Sequence, residues 1–154
     1  MDSPHHCPFE KLRTWQAARQ LAKQIYLTTS KFPRQEIYGL TSQLRRAAYS
    51  VPANIVEGAS RKSERDYLHF LYIARGSLSE TQYFLHLAQR LGYLSSKEAD
   101  NLRHQTKLTF ACLHGLIRVV EREAGKLRKV IATTTSLIVI SLMHWSSGQL
   151  SVVS

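Results

Sequence analysis

The sequence predicts an all-α protein: an antiparallel up-down four-helix bundle with a kinked second helix, followed by a C-terminal tail. Four long stretches carry apolar residues at spacings of three and four, which place those residues on one face of a helix. The connections between the stretches are short, which favours antiparallel neighbours. A length of 154 residues suits one domain with a sizeable core. We therefore predict a flexible N-terminus (1–8), a bundle (9–125) and a tail (126–154).

The first helix is predicted over about residues 10–31. Its apolar stripe includes Trp15, Leu21 and Ile25, while lysines, arginines and glutamines occupy the other face. Phe32-Pro33 ends the helix, because a proline forces the residue before it out of the α region.

The second helix is predicted over about residues 35–57. Glu36 places a negative charge at its N-terminus, where the helix dipole favours one. A proline at position 52 has no N–H for the carbonyl of Ala48, so we expect a kink at Pro52. Gly58 is expected to stop the helix. The apolar stripe consists of Leu40, Leu44, Ala47, Ala48, Val51 and Ile55.

The third helix is predicted over about residues 64–91. Ser63 and Asp66 form a pattern close to a capping box, which marks a helix start. Gly92 is a plausible residue just past the end, where a left-handed conformation favours glycine. Three small residues near the centre, Gly76, Ser77 and Thr81, would let a neighbouring helix approach closely.

A second capping box, Ser95-Ser96-Lys97-Glu98, predicts the start of the fourth helix. This helix is expected to end near Ala124-Gly125. The tail begins with a basic stretch, 126–129, and no charged residue follows Lys129. Leu137-Ile138-Val139-Ile140 has strand propensity. A loose tail, a strand and a segment buried in an oligomer all stay open. The longest apolar run has about nine residues, whereas a membrane span needs about 20, so we expect no membrane association.

The stretch 39–58, GLTSQLRRAAYSVPANIVEG, resembles the signature of a four-helix-bundle family first noticed as open reading frames inside intervening sequences of bacterial large-subunit ribosomal RNA. The resemblance covers roughly residues 9–124, and its motifs together are fairly specific. The further matching residues are Phe9-Glu10-Lys11-Leu12 with Trp15, Phe32-Pro33, Glu36, Tyr38-Gly39-Leu40, Ser77, Glu80 and Leu91-Gly92-Tyr93-Leu94.

The resemblance implies a homo-oligomer, with a pentamer favoured. It also implies a relationship to the accessory variability protein of diversity-generating retroelements, a basic barrel that partners a reverse transcriptase and nucleic acid. No enzyme with defined catalytic residues is implied. RNA or DNA, and a reverse transcriptase, are therefore the partners that the resemblance suggests.

The net charge of +10 independently favours a polyanionic partner, most often nucleic acid. In an up-down bundle, the start of the third helix and the end of the fourth lie at the same end. Basic residues cluster at both places, and in a ring they would form a rim suited to phosphates. The adjacent Arg45 and Arg46 point about 100° apart, so one is expected to reach a carboxylate and the other solvent. The candidate nucleic-acid-binding residues are Arg45, Arg46, Arg61, Lys62, Arg65, Lys126, Arg128 and Lys129.

A structural polar cluster is predicted near the kink, formed by Asn54, Glu57, Ser77 and Glu80. We expect Asn54 or Arg46 to satisfy the backbone that the kink frees, and Glu57 to pair with an arginine, because buried polar groups in a bundle must be satisfied. A ligand site made of the same groups is the alternative.

Enzymatic chemistry finds little support in the sequence. Phosphate-binding loops and the common zinc and serine-hydrolase motifs are missing, so no catalytic residue and no cofactor is assigned. His5-His6-Cys7 supplies too few ligands for a structural or catalytic zinc, so no metal site is assigned. Arg65 and His69 could share one helix face, which leaves an Arg/His ribonuclease as a remote alternative. The cysteines, Cys7 and Cys112, do not suggest a disulfide framework, and we expect a cytoplasmic protein without a signal peptide.

The favoured interpretation is a non-enzymatic homo-oligomer that binds nucleic acid through a basic rim, as an accessory factor of the intervening-sequence or retroelement type. A structural or protein-interaction module whose basic charge is incidental is the alternative from another class.

Overall fold

The structure is a computed structural model that describes residues 8–148, apart from the side chains of residues 8, 127, 128, 130, 132, 133 and 136–148. The helices are α1 (Arg13–Thr29), α2 (Leu40–Ala59), α3 (Glu64–Arg90) and α4 (Ser96–Gly148), with 3₁₀ turns at Pro8–Lys11 and Arg34–Glu36. Each helix packs against its neighbours in sequence, and α4 also packs against α1. The described residues therefore form a four-helix bundle, which confirms the predicted fold class.

The core is formed by the predicted apolar stripes. Val51, Leu71 and Leu113, from three different helices, are all completely buried. The other large, fully buried side chains are Leu21, Ile25, Leu44, Ile55, Leu78, Thr81, Thr106 and Thr109. The core thus includes threonine hydroxyls, and those of Thr81, Thr106 and Thr109 each donate to the carbonyl four residues earlier in the same helix.

The start of α2 lies four residues beyond Glu36, which itself belongs to the preceding 3₁₀ turn. Oε2 of Glu36 still accepts the N–H of Leu40 at 2.9 Å, so the carboxylate caps α2 as a negative charge was predicted to do. Gly39 permits this contact, because a Cβ there would lie 2.7 Å from the same oxygen.

The predicted capping residues of α3 and α4 are confirmed. The hydroxyl of Ser63 accepts the N–H of Asp66 at 3.1 Å. Ser95 and Glu98 form a reciprocal box, in which the Ser95 N–H donates to Glu98 and the Glu98 N–H donates to the Ser95 hydroxyl. Gly92 has φ of 75°, and N–H groups just past α3 reach back to carbonyls of its last turn, which is a Schellman ending.

Pro52 lies inside α2, and the helix continues through it to Ala59. The predicted kink is therefore not a break in the helix. The side-chain amide of Asn54 donates to the carbonyl of Ser50 at 2.8 Å rather than to that of Ala48, which lost its usual donor.

The predicted roles of two glycines are wrong. Gly58 does not stop α2 but lies inside it and is buried, and a Cβ there would come within 2.8 Å of the Tyr67 ring and 3.0 Å of Cβ of Phe70. Gly76 was expected to allow a close helix approach, yet it is exposed and a Cβ there would meet nothing within 4 Å. Gly58 therefore provides the close approach of α2 to α3, because the side chains of α3 occupy the space beside it.

The predicted end of α4 is also wrong. The helix does not stop near Gly125 but continues to Gly148, so the strand considered for residues 137–140 is not formed. At 1.5 Å per residue α4 is about 80 Å long, whereas α3 spans about 40 Å. Threonine hydroxyls contribute to this stretch of helix, since those of Thr134 and Thr135 both donate to the carbonyl of Ile131. Within the described residues, no helix is both long enough and apolar enough to cross a membrane.

Candidate nucleic-acid interface

The antiparallel packing of α3 and α4 sets the relative position of the two predicted basic clusters. The hydroxyl of Tyr72 donates to Oε1 of Glu121 at 2.5 Å, which places residue 121 opposite residue 72. In antiparallel helices, going forward along α4 from residue 121 corresponds to going back along α3 from residue 72. Residues 126–129 therefore lie opposite the first turn of α3. Hydrogen bonding to the Glu121 carboxylate raises the pKa of Tyr72.

The cluster at the α2–α3 turn is solvent-exposed. Arg61 pairs with Glu57, and its guanidinium stacks over the ring of Phe70 at 4.8 Å, so it is held close to the bundle. Lys62 and Arg65 are exposed, and within the described residues neither forms an ion pair. These two side chains are therefore open to an anionic partner.

The second cluster lies on α4. Lys126 is exposed and forms an ion pair with Glu123 at 2.8 Å. Lys129 is also exposed, and Arg128 belongs to the same helical stretch, although its side chain lies outside the described part of the chain. An exposed pair such as that of Lys126 is weak, so it can exchange its carboxylate for a phosphate.

Arg45 and Arg46 lie at the opposite end of the bundle. Arg45 is 16 residues before Arg61, which corresponds to about 24 Å along a helix axis. Its Nε donates to the hydroxyl of Thr29 at 2.7 Å, and its guanidinium stacks over the Tyr26 ring at 4.7 Å. Arg45 therefore contacts α1, and among the described residues it pairs with no carboxylate, as was expected for one of the two arginines. Arg46 is exposed, as was predicted for one of the pair.

Two members of the predicted polar cluster share one hydrogen-bond network between α2 and α3. The hydroxyl of Ser50 joins them, because it receives the side-chain amide of Asn54 and shares a hydrogen bond with the hydroxyl of Ser77, both at 2.9 Å. Glu57 pairs with Arg61, as expected, but away from this network. Glu80 is exposed on α3 and forms no ion pair with a described residue.

Three further basic residues were not among the predicted candidates. Lys11 and Arg13 are exposed at the start of α1, which lies at the same end of the bundle as the α2–α3 turn. Arg34 is exposed in the connection between α1 and α2 and lines the same pocket as Arg45. The up-down order of the helices would have pointed to Lys11 and Arg13, whereas nothing in the sequence places Arg34 in one pocket with Arg45.

Catalytic and metal-binding arrangements are sparse in the described part of the chain. Arg65 and His69 are both exposed on α3, one helical turn apart. Among the described residues no group of three or more His, Cys, Asp or Glu side chains could hold a metal ion. The run His5-His6-Cys7 lies outside the described residues.

Residues 10–115 match the family model described as 23S rRNA-intervening sequence protein. The match covers more than half of the chain and confirms the family resemblance inferred from its motifs. It ends within the first half of α4, so residues 116–148, more than half of that helix, lie beyond it. No curated protein matches the chain significantly.

A solved structure with a similar fold is that of a protein of unknown function from the S23 ribosomal protein family of Bacteroides thetaiotaomicron. It aligns with a TM-score of 0.63 at 24% sequence identity, over 68% of this chain and 95% of that chain. At this level of identity the likeness shows the fold alone.

Proposed function

We propose that this chain, which belongs to the 23S rRNA-intervening sequence protein family, binds RNA or DNA through one basic end of its bundle. The basic end consists of Arg61, Lys62, Arg65, Lys126, Arg128 and Lys129. The observation that carries the proposal is the antiparallel register of α3 and α4, which brings together two basic clusters about 60 residues apart in sequence. The net charge of +10 adds a long-range attraction for polyanions.

The contacts of the basic end favour the phosphate backbone over the bases. Lysine and arginine side chains neutralise phosphates and release counterions, so affinity falls steeply with salt and depends little on sequence. The aromatic ring of Phe70 is already covered by Arg61 and is half-buried. Stacking of bases on protein rings is therefore less supported here.

We propose that the protein acts as a homo-oligomer, with a pentamer favoured, in which the basic ends of the protomers form a rim. The helical stretch 130–148 carries no charged residue, and Ile131 on it is 54% exposed in the single chain. An uncharged helix of this kind is stabilised when it packs against another apolar surface. We place that surface on further copies of this chain, in a cytoplasmic accessory factor that serves an RNA element or a reverse transcriptase.

Binding of mixed RNA and DNA oligonucleotides at about 50 and 200 mM salt, on a sample sized by light scattering, tests the proposal. We expect binding that weakens steeply with salt and is reduced by the double variant Lys62→Gln/Arg65→Gln. The matched control is Arg90→Gln/Lys97→Gln, which removes the same charge from exposed positions at the other end of the bundle. No binding at low salt, or equal losses in the two double variants, would contradict the basic end and favour a protein-interaction module.

We propose that the protein is not an enzyme. The enzymatic alternative is an Arg/His ribonuclease that uses Arg65 and His69. This alternative stays open because the two side chains are exposed on one face of α3. We expect no RNA cleavage by the purified oligomer. Cleavage that disappears in His69→Ala would overturn the non-enzymatic proposal.

A further inference from the structure

A pocket lies between the end of α1, the connection that follows it and the first turns of α2. Its volume is about 430 Å³. Arg34, Thr41, Ser42 and Arg45 provide most of its polar wall, and Phe32 is among its apolar neighbours. It lies at the opposite end of the bundle from the basic end, so it is a separate site.

The cation of Arg45 has no negative partner among the described residues. Its Nε donates to the hydroxyl of Thr29 and its Nη2 to the carbonyl of Tyr26 at 3.4 Å, so both of these partners are neutral. The side chain is half-buried, which makes an uncompensated charge costly. These contacts and the Tyr26 ring fix the plane of the guanidinium, and Nη1 keeps its donors unused among the described residues.

Thr41 presents the second anomaly in the same pocket. It is 4% exposed, and its Oγ1 is buried with no hydrogen-bond partner among the residues that the structure describes. The buried Thr81 of α3, by contrast, donates to the carbonyl four residues earlier in its helix. Thr41 stands in the first turn of α2, so the residue four positions earlier, Ile37, is outside the helix. A buried hydroxyl without a partner is rare in native proteins, and a bound group is one explanation.

The N-terminus of α2 adds backbone donors. Glu36 accepts the N–H of Leu40, and the carbonyl of Gly39 accepts that of Gln43, which leaves the N–H groups of residues 41 and 42 without a backbone acceptor in the described chain. The helix dipole makes this terminus attractive to anions. The Glu36 carboxylate opposes an anion, but both of its oxygens already accept hydrogen bonds, and two arginines outweigh its single charge.

We propose that this pocket binds a phosphate group. Arg34 and Arg45 would form charge-assisted hydrogen bonds with its oxygens, the hydroxyl of Thr41 would gain its missing partner, and the first-turn N–H groups of α2 would complete the site. The chemistry suits a phosphomonoester or a backbone phosphodiester. The proposal stands on its own residues and does not need the basic end to bind nucleic acid.

Isothermal titration calorimetry of the full-length protein tests the site, with two sources of phosphate in separate arms. One arm uses inorganic phosphate and AMP, and the other a short RNA with a 5′-hydroxyl, which offers phosphodiesters alone. The variants are Thr41→Val, which keeps the shape of the side chain, and Arg34→Gln, whose parent is exposed. The matched control is Arg46→Gln, which removes one charge from an exposed position in the same part of α2.

We expect saturable binding in at least one arm, weakened about tenfold by Thr41→Val and by Arg34→Gln but unchanged by Arg46→Gln. The arm that shows this pattern identifies the source of the phosphate. Without ligand, Thr41→Val should melt at or above the wild-type temperature, because it removes an unsatisfied buried hydroxyl. The proposal is overturned if neither arm saturates, if Thr41→Val binds like the wild type, or if Arg46→Gln weakens binding equally. Loss of RNA binding in the double variant Lys62→Gln/Arg65→Gln alone would support binding at the basic end and would leave the proposal for this pocket unchanged.

Discussion

The hydroxyl of Tyr93 donates a hydrogen bond to Oε1 of Glu36 at 3.2 Å, across 57 positions of sequence. The other oxygen of the same carboxylate caps α2 through the N–H of Leu40. The Tyr93 ring also packs against Phe32, with ring centroids 5.5 Å apart. One carboxylate thus joins the α1–α2 connection, the start of α2 and the α3–α4 connection. Desolvation and the hydrogen bond to Glu36 raise the pKa of Tyr93.

Replacing Tyr93 and Glu36 singly and together should show that their contributions to the free energy of unfolding are coupled. We expect Tyr93→Phe to lower the melting temperature by about 2–4 °C, because the α3–α4 connection loses its hydrogen bond to Glu36. Glu36→Ala should cost more, about 1–2 kcal/mol, since it also uncaps α2. In the Glu36→Ala background, Tyr93→Phe should have little further effect, as urea unfolding of all four proteins would show. Additive losses would mean that the two side chains act independently.

Alanine at Gly58 and at Gly76 should have opposite effects on stability. We expect Gly58→Ala to destabilise the protein by about 1–3 kcal/mol, because its Cβ would collide with the Tyr67 ring and with Phe70 on α3. Gly76→Ala is the matched control, in the middle of a helix with open space beside it. It should stabilise by up to about 1 kcal/mol through better helix propensity. Urea midpoints measure both changes, and a stabilising Gly58→Ala would show that α2 and α3 can separate at little cost.

The lowered pKa of Glu98 predicts that the stability of the fold depends on pH. The hydroxyl and backbone N–H of Ser95, followed by the ion pair with Lys31, lower the pKa of Glu98 below its ordinary value near 4.5. A carboxyl group with a lower pKa in the folded state stabilises the fold above its unfolded pKa, and this stabilisation is lost as pH falls through the folded pKa. Glu98→Gln should therefore melt lower than the wild type near pH 7, and the difference should shrink below about pH 4.5.

Thermal melts from pH 3 to pH 7 measure this dependence. Glu80→Gln is the control, because Glu80 is exposed and forms no ion pair with a described residue. A difference between Glu98→Gln and the wild type that does not change with pH would contradict the proposed role of the charge.

Local signals in the sequence were sufficient for most of the fold. The periodic stripes, the Ser95–Glu98 capping box and the position of Gly92 depend on neighbours within one or two helical turns, so they could be predicted. The end of α4 could not, because residues 130–148 are rich in β-branched side chains, which favour a strand by propensity. The hydroxyls of Thr134 and Thr135 instead bond within the helix.

The candidate sites, too, include features that could be predicted from the sequence and features that could not. The basic end followed from topology, since an up-down bundle fixes which helix ends are neighbours. The pairing of Glu36 with Tyr93 and the isolation of the Thr41 hydroxyl depend on how distant segments pack, so no local pattern signals them. The same reason explains why the sequence did not indicate that Arg45, one of the two arginines of which one was expected to reach a carboxylate, contacts Thr29 and Tyr26.

The uncharged part of α4 should be tested by variants that spare the basic end. We expect a chain that stops after Lys129 to keep its helical bundle but to form smaller assemblies, since the proposed contact between copies is lost. Ile131→Asp should act in the same direction, because a charge in an apolar contact is costly. Its matched control is Val119→Asp, on the part of α4 beside α3, where the valine is 50% exposed compared with 54% for Ile131. Light scattering gives the mass of each assembly and circular dichroism its helicity. Wild-type mass in both the shortened chain and Ile131→Asp would place the contact between protomers on the bundle itself.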